Sequence, residues 1–328
     1  MKNLTVFDIA ERAHLRFDAI EASLRVAAYT PGGAQQEKAV GWVPPRGGEH
    51  DSYLENIGGH WLGAFVIETR SVPVTAIRER VGAMAAQVEA ETGGKPGRKA
   101  LKEMKEDAVM QLLPNSFPKK VEIPVWFNPV DGILGVGTAT QSRIDDIVSA
   151  LVRAIENLKI SEVELRVCPA EAMREWLLLE EDQPMPEGMS LGSACVLRQE
   201  HAGKATARFT NQNLACEEVR QNLHSGKIPV SLALCWGDRV ELTLHANGRI
   251  KGIHLSAGQG SEVGKNNIGH LDADFALFTG EMSKVIAQLR TEIDRMGERM
   301  AAARDASTAA IKGITTMWAG NEAGAVMP

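Results

Sequence analysis

A run of positive charge without an acidic residue occupies residues 92–102, TGGKPGRKALK. Its four basic residues are Lys95, Arg98, Lys99 and Lys102. The run is unusual because the chain as a whole has a formal net charge of -6. Arg98, Lys102 and Lys105 recur at helical spacing and therefore share one face of a predicted helix. Such a face can bind phosphates, and each neutralised phosphate adds a salt-dependent increment to affinity.

An ordinary solvated helix surface is the alternative interpretation of this run, because acidic residues follow it closely. Lys119 and Lys120 are expected to extend the positive region beyond the helix. A second basic set, with amide side chains as uncharged donors, lies in the C-terminal half. Its members are Arg198, Lys204, Arg208, Gln212, Asn213, Arg220 and Lys227. Proteins that contact the nucleic-acid backbone use such side chains, although each residue taken singly fits plain surface charge.

Metal-dependent chemistry has one candidate, the segment LDADF at residues 271–275. In a predicted strand, Asp272 and Asp274 share a face and could bind a divalent cation, as in a nuclease. The alternative is two aspartates making turn or cap hydrogen bonds. No supporting histidine or glutamate motif and no Walker A sequence occurs, and the G-x-G of NPVDGILGVGTA lacks the rest of a dinucleotide fingerprint. We therefore predict no catalytic residue, no metal and no cofactor.

Composition places the chain among ordinary globular proteins, with 44% hydrophobic and 24% charged residues in 328. That length predicts two or three domains. The spacing of the four cysteines, without a C-x-x-C pair, fits neither zinc nor a disulfide scaffold. An aspartate at position 8 interrupts any signal-peptide core, and no apolar run is long enough to span a membrane. We therefore expect a cytoplasmic protein.

Apolar periodicity predicts the elements that carry these residues. Strands are predicted for LTVFDI and HWLGAFVIETR, with the helix FDAIEASLRVAAY between them. From Val74 the period becomes helical, TGGKPG interrupts it, and a second helix follows from about Arg98 to Leu113. This part of the chain is predicted to be a helical hairpin or a broken helix.

Further along, VEIPVWF and ILGVGTAT are predicted to form a hairpin around NPVDG. Residues 142–158 predict an amphipathic helix with Ser142 as N-cap. EVELRV predicts a strand and PAEAMREWLLL a helix. After the acidic segment EEDQPMPEG come the strand ACVLRQ, a helix at about 213–224 and an antiparallel meander. DADFALFTG then leads to a helix from about Glu281.

The predicted fold class is α+β. Residues 1–72 and 119–180 are expected to form a central α+β domain. Residues 73–118 form a helical subdomain, which we call the finger. Residues 181–290 form a second α+β domain with the meander, and residues 291–328 a helical or frayed tail.

Several segments together resemble the recombination-associated protein RdgC family of bacterial DNA-binding proteins. They are KNLTVFDI, TPGGAQQEKAVGWVPPRG, EDAVMQLLPNSFPK, SGKIPVSLALCW and LDADFALFTGEM. They follow the order of the family and cover about residues 1–290. The resemblance implies a horseshoe-shaped subunit of antiparallel sheets flanked by helices, and two subunits closing into a ring-shaped homodimer.

Family resemblance also implies the function. Members bind double-stranded DNA with little sequence preference, and binding to single-stranded DNA is expected to be weaker. They restrain RecA-promoted strand exchange by occupying the DNA, which implies a nucleoid-associated protein in the cytoplasm. No catalytic activity, cofactor or membrane is implied. A positively charged hole inside an acidic protein is consistent with the basic run described above.

Residue roles follow from the same resemblance. In the family, the phenylalanine of LLP-x-x-F lies at the tip of the finger and meets its counterpart across a two-fold contact. Phe117 occupies that position, with Pro114 and Pro118 stiffening the turn. The residues expected to contact DNA are Lys95, Arg98, Lys99, Lys102, Lys204, Arg208, Gln212 and Lys227.

The sequence also departs from the family pattern. Gly93, Gly94 and Gly97 stand among the cations of the finger, and Asn211 stands where a lysine can occur. Two alternatives to the DNA-binding ring therefore remain. One is a protein-interaction scaffold that has kept the ring but binds DNA weakly. The other is the metal-dependent nuclease that would use the two aspartates of LDADF.

Overall fold

The structure is a computed structural model that describes residues 1–12, 15–47, 50–180, 183–199, 205–256 and 268–322. Within the last range, side chains are described for residues 271–302. The described residues form seven α-helices and twelve strands, and every strand ladder with a described register is antiparallel. The α+β prediction is therefore confirmed. None of the helices in these ranges has the apolar stretch that a membrane span requires.

The helices are α1 (Phe17–Val26), α2 (Val74–Thr92), α3 (Arg98–Leu112), α4 (Gln141–Ala154), α5 (Pro169–Leu178), α6 (Glu217–His224) and α7 (Ile268–Glu322). The first six strands are β1 (Asn3–Ala10), β2 (Lys38–Val43), β3 (Leu54–Ile57), β4 (His60–Thr69), β5 (Lys119–Asn128) and β6 (Ile133–Val136). The others are β7 (Lys159–Glu162), β8 (Met189–Gln199), β9 (Thr206–Thr210), β10 (Lys227–Trp236), β11 (Val240–His245) and β12 (Ile250–Leu255).

Two compact units divide the chain. The N-terminal unit is Phe7–Ser161, and the C-terminal unit combines Met1–Val6 with Glu162–Pro328. Strand β1 contributes to both units. Asn3 and Leu4 pair with β12 in the C-terminal unit, whereas the amide of Ile9 donates to the carbonyl of Gly132 in the N-terminal unit at 2.8 Å.

The sheet of the N-terminal unit has the order β2-β4-β5-β6-β1, with β3 also paired to β4 and β7 to β1. Eight consecutive residues of β4 are buried, so this strand lies at the centre of the unit. Helices α1 and α4 pack their apolar stripes on the core with Ile20, Leu24, Ile147 and Leu151. The apolar faces of these two helices are therefore buried against one hydrophobic core.

The sheet of the C-terminal unit has the order β1-β12-β11-β10-β8-β9, with the first residues of β1 at one edge. Helices α5 and α6 lie against β10, and α7 places apolar side chains at helical spacing into the core. The buried residues of α7 are Phe275, Phe278, Met282, Val285, Ile286, Leu289, Ile293 and Met296. The predicted meander is confirmed as β10, β11 and β12.

Several local predictions are confirmed and others are wrong. The hairpin around NPVDG is present as β5 and β6, and a helix begins at Pro169. No strand forms over 163–167, because pairing in this region ends with β7 at Glu162. The helix predicted from Ser142 begins one residue earlier, with Thr140 at the N-cap position and no side-chain cap hydrogen bond. The segment LDADF belongs to α7 and is not a strand.

Strands β2, β3 and β9 have no counterpart in the sequence predictions. Strand β2 lies at the edge of its sheet and contains a glycine, Gly41, at which the backbone of another segment approaches closely. Tyr29 donates its amide to the carbonyl of Trp42 at 2.8 Å, and Trp42 donates its own to Ala27 at 3.0 Å. These bonds hold the chain leaving α1 directly against β2, so a residue without a Cβ is needed at position 41.

Replacing Gly41 by alanine tests this close approach. The new Cβ would lie 2.4 Å from the Cα of Tyr29 and 2.6 Å from its nitrogen, so backbone atoms would have to move. We expect the free energy of unfolding to fall by about 1–3 kcal/mol, the usual cost of overpacking. The measurement is urea unfolding followed by circular dichroism. The matched control is Gly82→Ala in α2, where the new Cβ has open space. This substitution should raise the free energy of unfolding by about 0.5–1 kcal/mol. Equal stability of Gly41→Ala and the wild type would contradict the contact.

Candidate nucleic-acid interface

The basic run lies on the finger, whose helices α2 and α3 form the predicted hairpin. The side chain of Arg80 in α2 donates two hydrogen bonds to Oε1 of Gln111 in α3, at 2.9 and 2.7 Å. Helix α2 has no fully buried residue, and α3 has two, Met104 and Ala108. The two helices therefore pack chiefly on each other, and most of their side chains face solvent.

The loop between these helices, residues 93–97, forms the free end of the finger. Gly93 has φ of 73° and donates its amide to the carbonyl of Glu89 at 2.9 Å, which ends α2 with a left-handed residue. Glycine is the residue that adopts this conformation at least cost. Positions 94 and 97 face open space, so no neighbouring atom requires glycine there. Gly93 is thus explained by its position at the C-terminus of α2, independently of the charge of the run.

All four cations of the run are exposed or partly exposed at or near this free end. Lys99 and Lys102 approach Glu103 and Glu106 at 4.0 and 3.8 Å, with lysine side chains that remain 92% and 80% exposed. Exposed pairs of this length contribute little free energy, since solvent screens them. The lysines can therefore exchange these carboxylates for phosphate oxygens.

The first turn of α3 carries positive charge where helices usually carry negative charge. Gly97 at the N-cap position offers no side-chain acceptor, and no acidic residue lies in the first turn. The positive end of the helix dipole and the free amides therefore add to the positive charge of Arg98 and Lys99, and no acidic side chain of the first turn neutralises them. An anion at this position would satisfy the amides and the cations together.

The second predicted set lies in the C-terminal unit and is divided between two faces. Arg208 on β9 pairs with Val196 on β8, whereas Lys227 pairs with Gln199. Paired residues share a face and successive residues alternate, so Arg208 and Lys227 lie on opposite faces of the sheet. The ammonium of Lys227 lies 3.4 Å from the hydroxyl of Ser225. Lys204 lies outside the described residues.

Gln212 is positioned by backbone pairing at the edge of an open groove of about 640 Å³. Its amide donates to the carbonyl of Ser193 at 3.3 Å. Asn211 beside it has φ of 56°, a left-handed conformation that asparagine adopts more readily than lysine. The departure from the family pattern at position 211 therefore agrees with the local backbone. Arg208 lies on the sheet face opposite the buried side chains of Cys195 and Leu197.

Phe117 is 94% exposed, in the turn that returns α3 to β5. A 3-10 turn, Leu113–Asn115, precedes it, and the amide and hydroxyl of Ser116 both donate to the carbonyl of buried Leu113. Pro114 and Pro118 are exposed on either side. The tip position expected for Phe117 differs from its place here. The free end of the finger is the loop 93–97, whereas Phe117 lies beside the sheet, two residues before Lys119 pairs with Thr69.

A buried carboxylate anchors this end of the finger. Glu68, near the end of β4, is 2% exposed and accepts a hydrogen bond from the Tyr29 hydroxyl. The ammonium of Lys120 lies 3.7 Å from one carboxylate oxygen, and Nε of Arg70 lies 3.9 Å from the other. The Tyr29 hydrogen bond, with further contributions from a backbone amide and these cations, holds the pKa of Glu68 below its ordinary value. We call Tyr29, Glu68, Arg70 and Lys120 the Glu68 cluster.

This cluster corrects the expected extent of the positive run. Lys120 contacts the Glu68 carboxylate and lies 4.9 Å from the centre of the Tyr29 ring. Both Lys119 and Lys120 belong to β5, at the sheet end of the finger. They therefore do not extend the group of cations at its free end. Sequence reasoning missed the cluster because its members come from segments far apart in the chain.

The proposed carboxylate pair is also corrected. Asp272 and Asp274 lie in α7, where residues two apart point about 200° away from each other around the axis. They cannot share a face as they would in a strand. Among the described residues, no group of three or more histidine, cysteine, aspartate or glutamate side chains is arranged to hold a metal ion.

Comparison with known proteins gives a consistent result. The family described as "Putative exonuclease, RdgC" matches residues 1–296. Recombination-associated protein RdgC of Cupriavidus necator is 30% identical over 303 residues, which are 92% of this chain and 99% of that protein. The protein of the same name from Herminiimonas arsenicoxydans is 28% identical over 88% of this chain and 95% of its own length. That from Bordetella pertussis is 28% identical, with 90% and 97% covered.

Replacing Glu68 by glutamine tests the anchoring role of the carboxylate. Because the folded-state pKa is lowered, ionised Glu68 stabilises the fold above its unfolded pKa, and this contribution is lost as the pH falls through the folded pKa. We expect Glu68→Gln to lower the melting temperature at neutral pH and to flatten its decline in acid. The measurement is thermal unfolding by circular dichroism at a series of pH values.

The control for this substitution is Glu103→Gln, which removes a carboxylate that is 62% exposed and 4.0 Å from Lys99. A solvated pair of this kind should leave the melting temperature unchanged. If wild type and Glu68→Gln lost stability identically on acidification, the cluster would have no anchoring role.

Proposed function

The chain belongs to the RdgC family of recombination-associated proteins, and we propose that it binds double-stranded DNA without sequence preference and modulates homologous recombination. We further propose that it acts as a ring-shaped homodimer in association with the nucleoid. Occupying the duplex would then limit RecA-promoted strand exchange. Single-stranded DNA would bind more weakly.

The observation that carries the proposal is the group of exposed cations at the free end of the finger. A net charge of -6 opposes binding to a polyanion on average, but a ligand responds to the local field. Lys95, Arg98, Lys99 and Lys102 combine with the uncapped start of α3 to make a local site for phosphate. Interactions with phosphates fix position but carry no sequence information, so the expected binding is unspecific.

The C-terminal unit supports the same ligand through a second surface. Arg208 lies on the face of its sheet opposite the buried side chains of β8, and a groove is lined by the polar residues Ser193, Asn211, Gln212 and Asn213. Amide and hydroxyl groups of this kind are common partners of phosphate and sugar oxygens. Lys227 on the opposite face would contribute through the general field rather than at the same surface.

Phe117 supports the homodimer. An aromatic ring that is 94% exposed contributes no burial free energy to an isolated subunit, and it would contribute once another apolar surface covered it. In a two-fold contact the same patch meets itself, so one phenylalanine on each subunit covers the other. Pro114 and Pro118 would limit the movement of the turn that presents the ring.

A non-enzymatic role agrees with the names of the relatives, which describe association with recombination. The family description also contains the word exonuclease, so we separate the two by experiment. Duplex DNA incubated with the protein and magnesium should stay intact on a gel. Magnesium-dependent shortening of the DNA would favour a nuclease and contradict our proposal.

Charge reversal at Arg98 and Lys102 tests the finger. Fluorescence anisotropy of labelled duplexes of unrelated sequence should show a log affinity that falls linearly with log salt for the wild type. We expect the Arg98→Glu, Lys102→Glu double variant to bind more weakly at every sequence. For this variant, the slope of log affinity against log salt concentration should be smaller in magnitude by about one for each phosphate that is no longer neutralised.

A matched control reverses two exposed cations of the same unit that lie off the finger, Arg16→Glu with Arg153→Glu. This variant has the same net charge as the test variant and should keep most of the affinity. Equal weakening in both variants would mean that only overall charge matters. Unchanged affinity in both would favour the scaffold alternative, in which the protein keeps its assembly and binds DNA weakly.

Phe117→Ala tests the homodimer. Because the ring is almost fully exposed, its removal should leave the melting temperature of the subunit unchanged. We expect a weaker dimer by sedimentation velocity and faster dissociation from DNA. The control Val130→Ala removes a residue that is 75% exposed elsewhere in the unit and should leave both properties unchanged. A Phe117→Ala protein with the wild-type dimer affinity would contradict the proposed contact.

A further inference from the structure

The Phe117 ring is exposed, so its own contacts do not fix its direction. Its direction depends on the backbone before and after it. Pro118 restricts the preceding residue to extended conformations, which limits Phe117 from the C-terminal side. On the N-terminal side, Ser116 has φ of -84° and ψ of 143° and is therefore already extended. The carbonyl of Ser116 belongs to the peptide group that joins it to Phe117.

That carbonyl is held by Arg70. The guanidinium nitrogen Nη1 of Arg70 donates to the oxygen of Ser116 at 3.3 Å. The backbone of Arg70 is fixed in turn, since its amide donates to the carbonyl of Glu37 at 2.8 Å directly after β4. The turn is thus tied to the end of the central strand by a side chain as well as by the chain itself.

The guanidinium is held in place by Glu68. Nε of Arg70 lies 3.9 Å from Oε1 of Glu68, and the Arg70 side chain is 16% exposed. Nε is buried and has no hydrogen-bond partner among the described residues, so charge attraction rather than a second hydrogen bond holds this end of the group. Tyr29 and Lys120, the other members of the Glu68 cluster, keep the carboxylate in place.

We propose that Arg70 is a positioning residue for the Phe117 contact between subunits, linking the carboxylate of Glu68 to the carbonyl of Ser116 so that the ring is presented in one direction. This inference rests on the proposed homodimer. A planar guanidinium can reach a carboxylate and a carbonyl at once, which a lysine ammonium at the end of a flexible stem does less well. Fixing the turn before association lowers the entropy cost of forming the dimer.

The test is a double-mutant cycle between Arg70 and Phe117, read as the dimer dissociation constant by sedimentation equilibrium. We expect Arg70→Gln to raise that constant roughly tenfold, the effect of about 1.4 kcal/mol. In the Phe117→Ala background the same substitution should have little further effect, because there is no longer a ring to position. Arg70→Lys keeps the charge and should fall between wild type and Arg70→Gln.

A structural role alone predicts a different pattern, because a decrease in general stability would add to the effect of Phe117→Ala. Arg46→Gln serves as the control, since Arg46 pairs with Glu55 at 3.2 Å in the same unit and its side chain is only 11% exposed. It should leave the dimer constant unchanged even if it lowers the melting temperature. Should Arg70→Gln fail to fold, Arg70→Lys carries the cycle.

The outcomes separate this inference from the proposal beneath it. If Phe117→Ala weakens the dimer but neither Arg70 variant does, or if the effects are additive, positioning by Arg70 is wrong and the Phe117 contact stands. If Phe117→Ala itself leaves the dimer unchanged, both the contact and the inference fail. DNA binding measured on the wild type is independent of either result.

Discussion

Glu68 brings a negative charge into the end of a strand whose preceding residues are almost all apolar and buried. Such a charge is tolerated only where hydrogen bonds and opposite charges replace water. Tyr29, Lys120 and Arg70 supply them, from the segment after α1, from β5 and from the residue that follows β4. Satisfying one carboxylate therefore fixes the place where the finger leaves the sheet and where it returns. Few residues of the finger are buried, so this attachment does much to determine how it is held.

The finger itself is built with weak internal support. Its helices bury little, and α3 begins with cations and without a cap where helices usually begin with an acceptor or an acid. The cations and the missing cap at the start of α3 cost some stability in the free protein, and a bound anion would offset that cost. The remainder of the chain is acidic, so the proposed binding to phosphate would depend on the local positive field at the free end of the finger.

Sequence patterns predict a helix or strand correctly where the residues of that element carry a strong signal of their own. The stripe of α4, the meander β10–β12 and the hairpin β5–β6 have strong periodicity or turn residues, and all are present. Strands β2, β3 and β9 are short or at an edge, and neighbours rather than local propensity define them. The alternation of LDADF predicts a strand for Asp272 and Asp274, yet the helical spacing of the buried residues Phe275, Phe278 and Met282 shows why the segment is a helix.

In the candidate site too, some features follow from the local sequence and others depend on how the strands pair. The basic run followed from the residue types alone, and the role expected of Phe117 followed from the family resemblance. The Glu68 cluster did not, because Tyr29, Glu68 and Lys120 come together only when β4 and β5 pair. The split of Arg208 and Lys227 between two faces depends on strand register, which residue spacing alone does not give.

Strand β1 has a consequence for how the protein is made. Its first residues pair with β12, and Asn3 accepts a hydrogen bond from Gly252 across 249 residues of chain. The partner of the first strand is therefore among the later segments to leave the ribosome, on the order of ten seconds or more after it. During that interval Leu4, fully buried in the finished fold, lacks its native partner Ile250. Completion of the C-terminal unit is thus a late and slow event, since the loop it closes spans most of the chain.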